Sequence, residues 1–488
     1  MMPRRIKTRV LAPAHTLNLS AAVPWVAIVG LIASVLGGLV ANASGLLEYF
    51  YPLATSSVGV LLYWRYPTLY LGFTWWLWLL TPEVRRLVDY QQGWNPESPV
   101  MLAPYLVTAF TSFTLLRHLP KLQFYRYFAF GLILLGLFYS YGVGILSGGS
   151  TLAATFDLLN WLVPVVFAFH LLMHWRQYPQ YRRVIRRTFV WSVLVIGLYG
   201  LLQFFRPPAW DQYWMINAPI ASVGLPEPLG VRVFSTLNSP GPFAVVIMAG
   251  LLLLLSGGGP LRWPAAGVGY ASFLLSAVRA AWGGWVVGLL FIIAQRSRLG
   301  PRLLTVLVVT GLITLPLLTV GPVSETINER LQTFTNLRQD TSFNDRVAFQ
   351  LYILPQALLN PIGTGLGSTG IATKLSAATG ELGELGVFDS GLLNIPYVLG
   401  WPGSLLYIGG LIWLLYYALH GVVEAKSDLF AVTSRGIAVA MLAQLFFVNT
   451  LIGVSGMVFW GFLGLALAAQ VYYVQIVRTG DRRDNSSN

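Results

Sequence analysis

The stretch Val454–Val474 reads V-S-G-M-V-F-W-G-F-L-G-L-A-L-A-A-Q-V-Y-Y-V, 21 residues without a charge. As a helix at about 1.5 Å per residue it is about 30 Å long, the thickness of a bilayer's hydrocarbon core. In lipid a helix satisfies every backbone donor and acceptor within one segment, so such a run is read as a membrane span.

Working outward, similar apolar runs recur along the whole chain. They fall at Val23–Val40, Leu46–Trp64, Leu69–Thr81, Met101–Leu116, Tyr127–Leu146, Leu152–Leu172, Phe189–Phe205, Phe243–Leu255, Trp263–Val278, Trp282–Ala294, Leu303–Val320, Leu392–Leu419 and Phe430–Thr450. With the first stretch they predict an all-α integral membrane protein, a polytopic bundle of about 12–14 transmembrane helices. Composition agrees: of 488 residues, 56% are hydrophobic and only 10% charged, too few charges to cover a water-soluble particle of this size. The absence of cysteine excludes disulfides, thiolate metal sites and cysteine nucleophiles. Five histidines (His15, His118, His170, His174 and His420) are too few and too dispersed for a His-rich metal cluster, so no metal or cofactor is expected. The net charge of +13 reads as topology and not as nucleic-acid binding.

Basic clusters orient the chain. Arg4, Arg5, Lys7 and Arg9 hold the N-terminus in the cytoplasm, and alternation brings four further groups to the same side, around Arg117, Arg182, Arg296 and Arg482. An even number of spans returns the C-terminus there. The predicted organisation is a cytoplasmic tail (1–20), N-terminal spans (21–205), an outer loop (206–237), central spans (238–320), one long outer loop (321–389), C-terminal spans (390–475) and a cytoplasmic tail (476–488). A further outer segment is expected at Pro82–Pro99. Within the long loop, Val323–Leu337 reads as a helix capped by Ser324. Asn344–Leu359 reads as amphipathic, with Val347, Leu351, Leu354 and Leu358 on one face. Gly365-Leu-Gly-Ser-Thr-Gly370 matches a dinucleotide fingerprint in letters only, because no strand precedes it.

Arginines outside the orienting clusters are the candidates for chemistry. Arg232 precedes the eighth span, Arg279 sits between two spans, and Arg346 opens the amphipathic segment. A charge beside apolar spans is costly unless paired or hydrated, and a guanidinium grips phosphate oxygens in a planar fork. Each also has a plainer reading: a snorkelling or ion-paired residue for Arg279, a pair with Asp345 for Arg346, a loop residue for Arg232. Arg85 and Arg86 read as contacts with lipid headgroups. Asp389, followed by Ser390, opens the Leu392–Leu419 span and reads either as a helix cap or as a general base raised by partial burial. Asn238 and Ser239 before Pro240 read as a helix cap or as substrate contacts. Glu381 and Glu384 read as solvated.

These pieces together resemble the O-antigen ligase and O-antigen polymerase superfamily of bacterial envelope glycosyltransferases. Arg232-x-x-Ser-x-x-Asn238-Ser239-Pro-Gly-Pro-Phe-Ala resembles its entry into a central span, and Ser276-Ala-Val-Arg279-Ala-Ala its Ser-x-x-Arg segment. Asp345-Arg346 followed by Pro361-Ile-Gly-Thr-Gly365 resembles its large periplasmic loop. The family's ligases carry a histidine, a small polar residue, nine residues and Gly-x-x-Gly. Here Asp389-Ser390 precedes nine residues and Gly400-Trp-Pro-Gly403, so the frame is kept and aspartate replaces histidine. The resemblance implies a GT-C-like fold with its long loop in the periplasm of a bacterial inner membrane. It implies a metal-independent polymerase of undecaprenyl-pyrophosphate-linked glycans, with a ligase and an anion or bicarbonate transporter as alternatives. Implied catalytic residues are Asp389, Arg279 and Arg346, and implied substrate-binding residues are Arg232, Asn238, Ser239 and Ser390. Implied partners are the lipid-linked glycan, a glycan acceptor, membrane lipid and other polysaccharide-assembly proteins.

Overall fold

The computed structural model describes residues 19–123, 125–218, 221–295, 341–376, 382–383, 385, 388, 390–420, 425 and 427–484. Among them the chain is helical, with no strand and one isolated bridge between Gly224 and Val231. Seven helices are long and apolar enough to cross a membrane, and three shorter apolar helices accompany them. This is an α-helical membrane protein.

The N-terminal half runs α1 (Leu19–Val40), α2 (Ser44–Arg65), α3 (Pro67–Gln92), α4 (Leu102–Ala109), α5 (Ser112–Arg117), α6 (Tyr125–Leu146), α7 (Thr151–Met173) and α8 (Tyr178–Phe205). It continues through α9 (Ala209–Asn217), α10 (Pro240–Leu254), α11 (Arg262–Leu275), α12 (Arg279–Gln295), α13 (Thr341–Leu359), α14 (Gly391–Leu419), α15 (Leu429–Ala443) and α16 (Gly453–Asp484). The charge-free stretch Val454–Val474 is the centre of the molecule. Met457 through Ala469 of α16 is buried almost without interruption, packed on α7 and α15. A helix that is apolar all round belongs in an interior, and its small side chains let neighbouring backbones approach. The predicted helix at Val323–Leu337 and the span at Leu303–Val320 lie outside the described residues.

The predicted break at Pro82 is absent. Helix α3 runs straight through Pro82 to Gln92. Proline removes a helix hydrogen bond and crowds the preceding turn. In that turn the Leu79 carbonyl also accepts from the Thr236 hydroxyl at 2.7 Å, which ties the helix to a distant loop. Helix α13 forms where the amphipathic pattern predicts one, but Leu351 and Leu358 are exposed, and Ile353 and Ala357 are the buried residues.

The Gly-rich run after α13 is a structural wedge and not a nucleotide loop. Thr364 N and Gly365 N donate to the Tyr397 and Val398 carbonyls of α14 at 2.9 and 3.0 Å. Leu366 N donates to Ser140 O of α6 at 3.1 Å, and Gly367 N to Asp157 Oδ2 of α7 at 2.9 Å. Gly365 has φ +80°, and a Cβ there would collide with the Gly144 backbone. Helix α14 yields in turn: Gly400 adopts φ 62° at a kink, and Trp401 N donates to Pro361 O at 2.8 Å. Two motifs about forty residues apart in sequence, Pro361–Gly365 and Gly400–Gly403, therefore dock on each other.

Candidate functional site

Because helices joined by short turns run back and forth, alternate connections gather at one end of the bundle. Hydrogen bonds tie these connections together. Asn95 Nδ2 donates to Glu48 at 2.5 Å, Arg86 Nη2 to Ser235 O at 2.5 Å, Arg232 Nη2 to Ala277 O at 3.1 Å, and Asn449 Nδ2 to Asn394 Oδ1 at 2.8 Å. This end carries Arg232, Arg279 and Arg346.

The arm from Ala221 to Asn238 is built in steps. Leu225 N donates to Gly230 O and Arg232 N to Val223 O, both at 2.9 Å, making a tight turn. Val233 N then donates to Leu275 O at 3.1 Å, which lays the arm on the end of α11. The Arg232 guanidinium reaches the Ala277 carbonyl, two residues before Arg279 starts α12. Ser235 (φ 53°) and Ala277 (φ 52°) both occupy the left-handed region without being glycine. Such backbone costs about 1–3 kcal/mol per residue and persists only where surroundings enforce it, typically at ligand clamps and active sites.

Beneath the arm lies a charge network that the sequence reading missed. Arg86 is fully buried and not in contact with lipid. It is bonded to Glu83 and lies 2.9 Å from Asp211 Oδ1 of α9. Tyr199 donates to Glu83 at 2.8 Å and to Asp211 at 3.0 Å, and Trp210 Nε1 donates to Glu83 at 2.8 Å. Burial pushes the Asp211 carboxyl up to about 6, with Arg86 pulling against it. The only sequence signal was the pairing of Glu83 with Arg86 three residues on, which on a helix places them together. Arg85 also turns inward, 5.3 and 5.0 Å from the rings of Trp94 and Trp214 and bonded to Asp89 at 3.3 Å. Lys374 stands near it, half-buried, its ammonium pKa lowered by burial and by Arg85.

Of the remaining candidates, Ser390 caps α14 by accepting from Leu393 N at 3.4 Å. Ser239 occupies the N-cap position of α10 without a side-chain cap bond. The Asn238 carbonyl accepts from Trp214 Nε1 at 3.2 Å, and its buried Oδ1 has no hydrogen-bond partner among the described residues. Arg346 lies on α13 one turn before Phe349, whose ring packs on Phe388 at 5.1 Å. Asp389 falls between Phe388 and Ser390 in sequence but lies outside the described residues, as do Glu381, Glu384 and the Asp345 side chain. The structure thus joins Arg232 directly to the turn before Arg279, and brings Arg346 to the edge from which α14 starts.

Two more buried ionisable groups lie within the helices. Asp157 receives the Gly367 amide. Arg435, inside α15 and 2% exposed, has no hydrogen-bond partner for any of its three guanidinium nitrogens among the described residues. Its signal was available: it is the only Lys or Arg within Phe430–Thr450. The described histidines are remote from the arginine end; His170, for example, pairs with Thr114 at 2.7 Å. No group of three or more His, Cys, Asp or Glu suited to a metal occurs among the described residues. No protein-family model matches this chain, and no curated protein matches it.

Proposed function

We propose that the chain is a membrane glycosyltransferase that polymerises undecaprenyl-pyrophosphate-linked oligosaccharide repeat units on the outer face of a bacterial inner membrane. The observation that carries this reading is the Arg232–Ala277 hydrogen bond, because it links the strained arm to the turn that launches Arg279. Two guanidinium-bearing segments held against each other at the mouth of an apolar bundle suit a diphosphate, whose oxygens accept in pairs. The Phe349–Phe388 contact supports adding Arg346, since it ties α13 to the residue next to Asp389.

In this mechanism a lipid-linked glycan arrives laterally from the outer leaflet, and the arginines bind its pyrophosphate. An acceptor sugar hydroxyl attacks the anomeric carbon. The new C–O bond forms as the bond from that carbon to the phosphate oxygen breaks, and the polyprenyl pyrophosphate leaves with the electron pair. Asp389 takes the hydroxyl proton. The arginines stabilise charge growing on the leaving group, an electrostatic contribution that pre-organised donors supply well in a water-poor site. Asn238, with an unused buried acceptor, and Ser239 and Ser390 are contacts for the sugar or phosphate. The glycosyl–pyrophosphate bond supplies the driving force, so no nucleotide is required outside the cell.

The test is surface-polysaccharide gel analysis of a deletion strain complemented with wild-type protein or Arg279→Ala at matched levels. Loss of polymer with single repeat units left on the final carrier supports polymerisation. Long chains retained on the polyprenyl lipid identify a ligase instead. Wild-type polymer from Arg279→Ala refutes the enzymatic reading. A second reading, anion transport, is favoured by the buried ionisable groups Asp157 and Arg435. It predicts flux of labelled bicarbonate into liposomes without any lipid-linked sugar.

A further inference from the structure

We infer that Arg86 is a positioning residue that sets the course of the Arg232–Asn238 arm by holding the carbonyl of Ser235, an inference that rests on the reading above for what the arm does. The peptide between Phe234 and Ser235 and its neighbours are gripped from both sides. Arg86 Nη2 donates to Ser235 O at 2.5 Å. Gln203 Oε1 accepts from Phe234 N at 3.0 Å and from Ser235 N at 2.8 Å. Gln203 is itself fixed by Asp211 Oδ2 at 2.7 Å, and Asp211 contacts Arg86. The Ser235 hydroxyl donates to Ile196 O at 2.5 Å, and the Phe234 ring lies 4.9 Å from the Arg86 guanidinium. Three helices (α3, α8 and α9) thus converge on one left-handed residue.

Packing alone does not account for this arrangement. Buried ion pairs are poor glue, since well-packed apolar residues of the same volume often hold helices equally well or better. What apolar residues lack is a donor for a carbonyl and an acceptor for two amides. Those are the groups needed to hold Ser235 at φ 53°, where a Cβ is unwelcome. The consequence is geometric. Three residues before Ser235 stands Arg232 and three residues after it stands Asn238, so a relaxed turn at Ser235 re-aims both. Arg86 touches no substrate in this account; it acts through the arm.

The chain has no cysteine, so a single introduced one reports on the arm without background. Val233 is fully buried, and Val233→Cys is a mild change in volume. In purified full-length protein, N-ethylmaleimide labels V233C slowly. Adding Arg86→Lys, which keeps the charge but loses the fork, raises the labelling rate at least about tenfold. In the V233C-free chain, R86K lowers polymer yield by on the order of 100-fold at equal protein level, the scale on which a misplaced contact costs. Ser235→Gly, which tolerates the left-handed turn unaided, restores both V233C protection and polymer yield in the R86K background. Its own loss of the Ile196 bond is measured in S235G alone. A role confined to packing α3 against α9 is not rescued by S235G, so absence of rescue overturns the inference. Unchanged V233C labelling in R86K overturns it as well, as does changed labelling with wild-type polymer yield where R279A itself abolishes polymer. If R232A and R279A leave polymer untouched, the glycosyltransferase reading falls, while V233C labelling still judges whether Arg86 orders the arm.

Discussion

The two ends of the bundle solve the same problem differently. At the end opposite the arginines, Asp428 caps α15 through Phe430 N at 3.0 Å and accepts from Tyr178, Arg182 and Tyr473 at 2.7 to 3.0 Å. One carboxylate is satisfied by side chains of α8 and α16, and Arg182 remains 41% exposed to solvent. At the arginine end, the network of Glu83, Arg86 and Asp211 is sealed and spent on backbone. All four non-glycine residues with left-handed φ among the described residues (Asn42, Leu229, Ser235 and Ala277) lie at this end. Conformational cost is therefore concentrated where the long loops gather, as it is around sites that must hold a ligand in fixed geometry.

That contrast is broken or sharpened by substitutions made in pairs. The largest expected effect on stability is Arg86→Met, which strands two buried carboxylates and costs about 3–5 kcal/mol, against at most about 1 kcal/mol for Arg182→Gln at the exposed pair. Thermal unfolding in detergent measures both, and equal losses would erase the distinction between the ends. If the glycosyltransferase proposal holds, charge on the leaving group sets the order for function. Arg279→Ala lowers polymer formation about 100- to 1,000-fold, whereas Arg182→Gln leaves it near wild type in the same complementation assay. Gly365→Val is next, at about 1–3 kcal/mol or more, because the wedge has no room for a Cβ. Gly409, around which a Cβ would meet nothing within 4 Å, tolerates alanine with little change in unfolding temperature.

The smallest effect is on pH. Asp211 faces Glu83, Arg86, Tyr199 and Gln203, and its carboxyl sits at about 6 because of burial. Below that pH it gains a proton and loses its charge pairing with Arg86. On the glycosyltransferase proposal, polymer formation therefore falls modestly as pH drops through about 6. The pH profile of Asp211→Asn should lack that inflection.

How much of this was legible beforehand differs by residue. Apolar runs located every described helix that crosses the bundle, because the period and length of a span are local properties of the chain. Ser390 as a cap was legible for the same reason. Arg85 and Arg86 were misread as lipid contacts, since nothing in their neighbourhood announces that α3 continues through Pro82 or that Asp211 waits about 125 residues later. The Gly-rich run looked like a phosphate loop in letters, and its partners Ser140, Asp157 and Val398 come from three different helices.

What the sequence determined alone is that this chain lives in a bilayer as helices, with its spare arginines between spans. A charge-poor, apolar chain has no other way to satisfy its backbone and cover its surface. What only the tertiary structure decided is which polar groups meet. A hydrogen bond such as Arg232 to Ala277, or Arg86 to Ser235, depends on atoms far apart along the chain arriving within about 3 Å. That is fixed by helix packing and loop course, which no local pattern encodes.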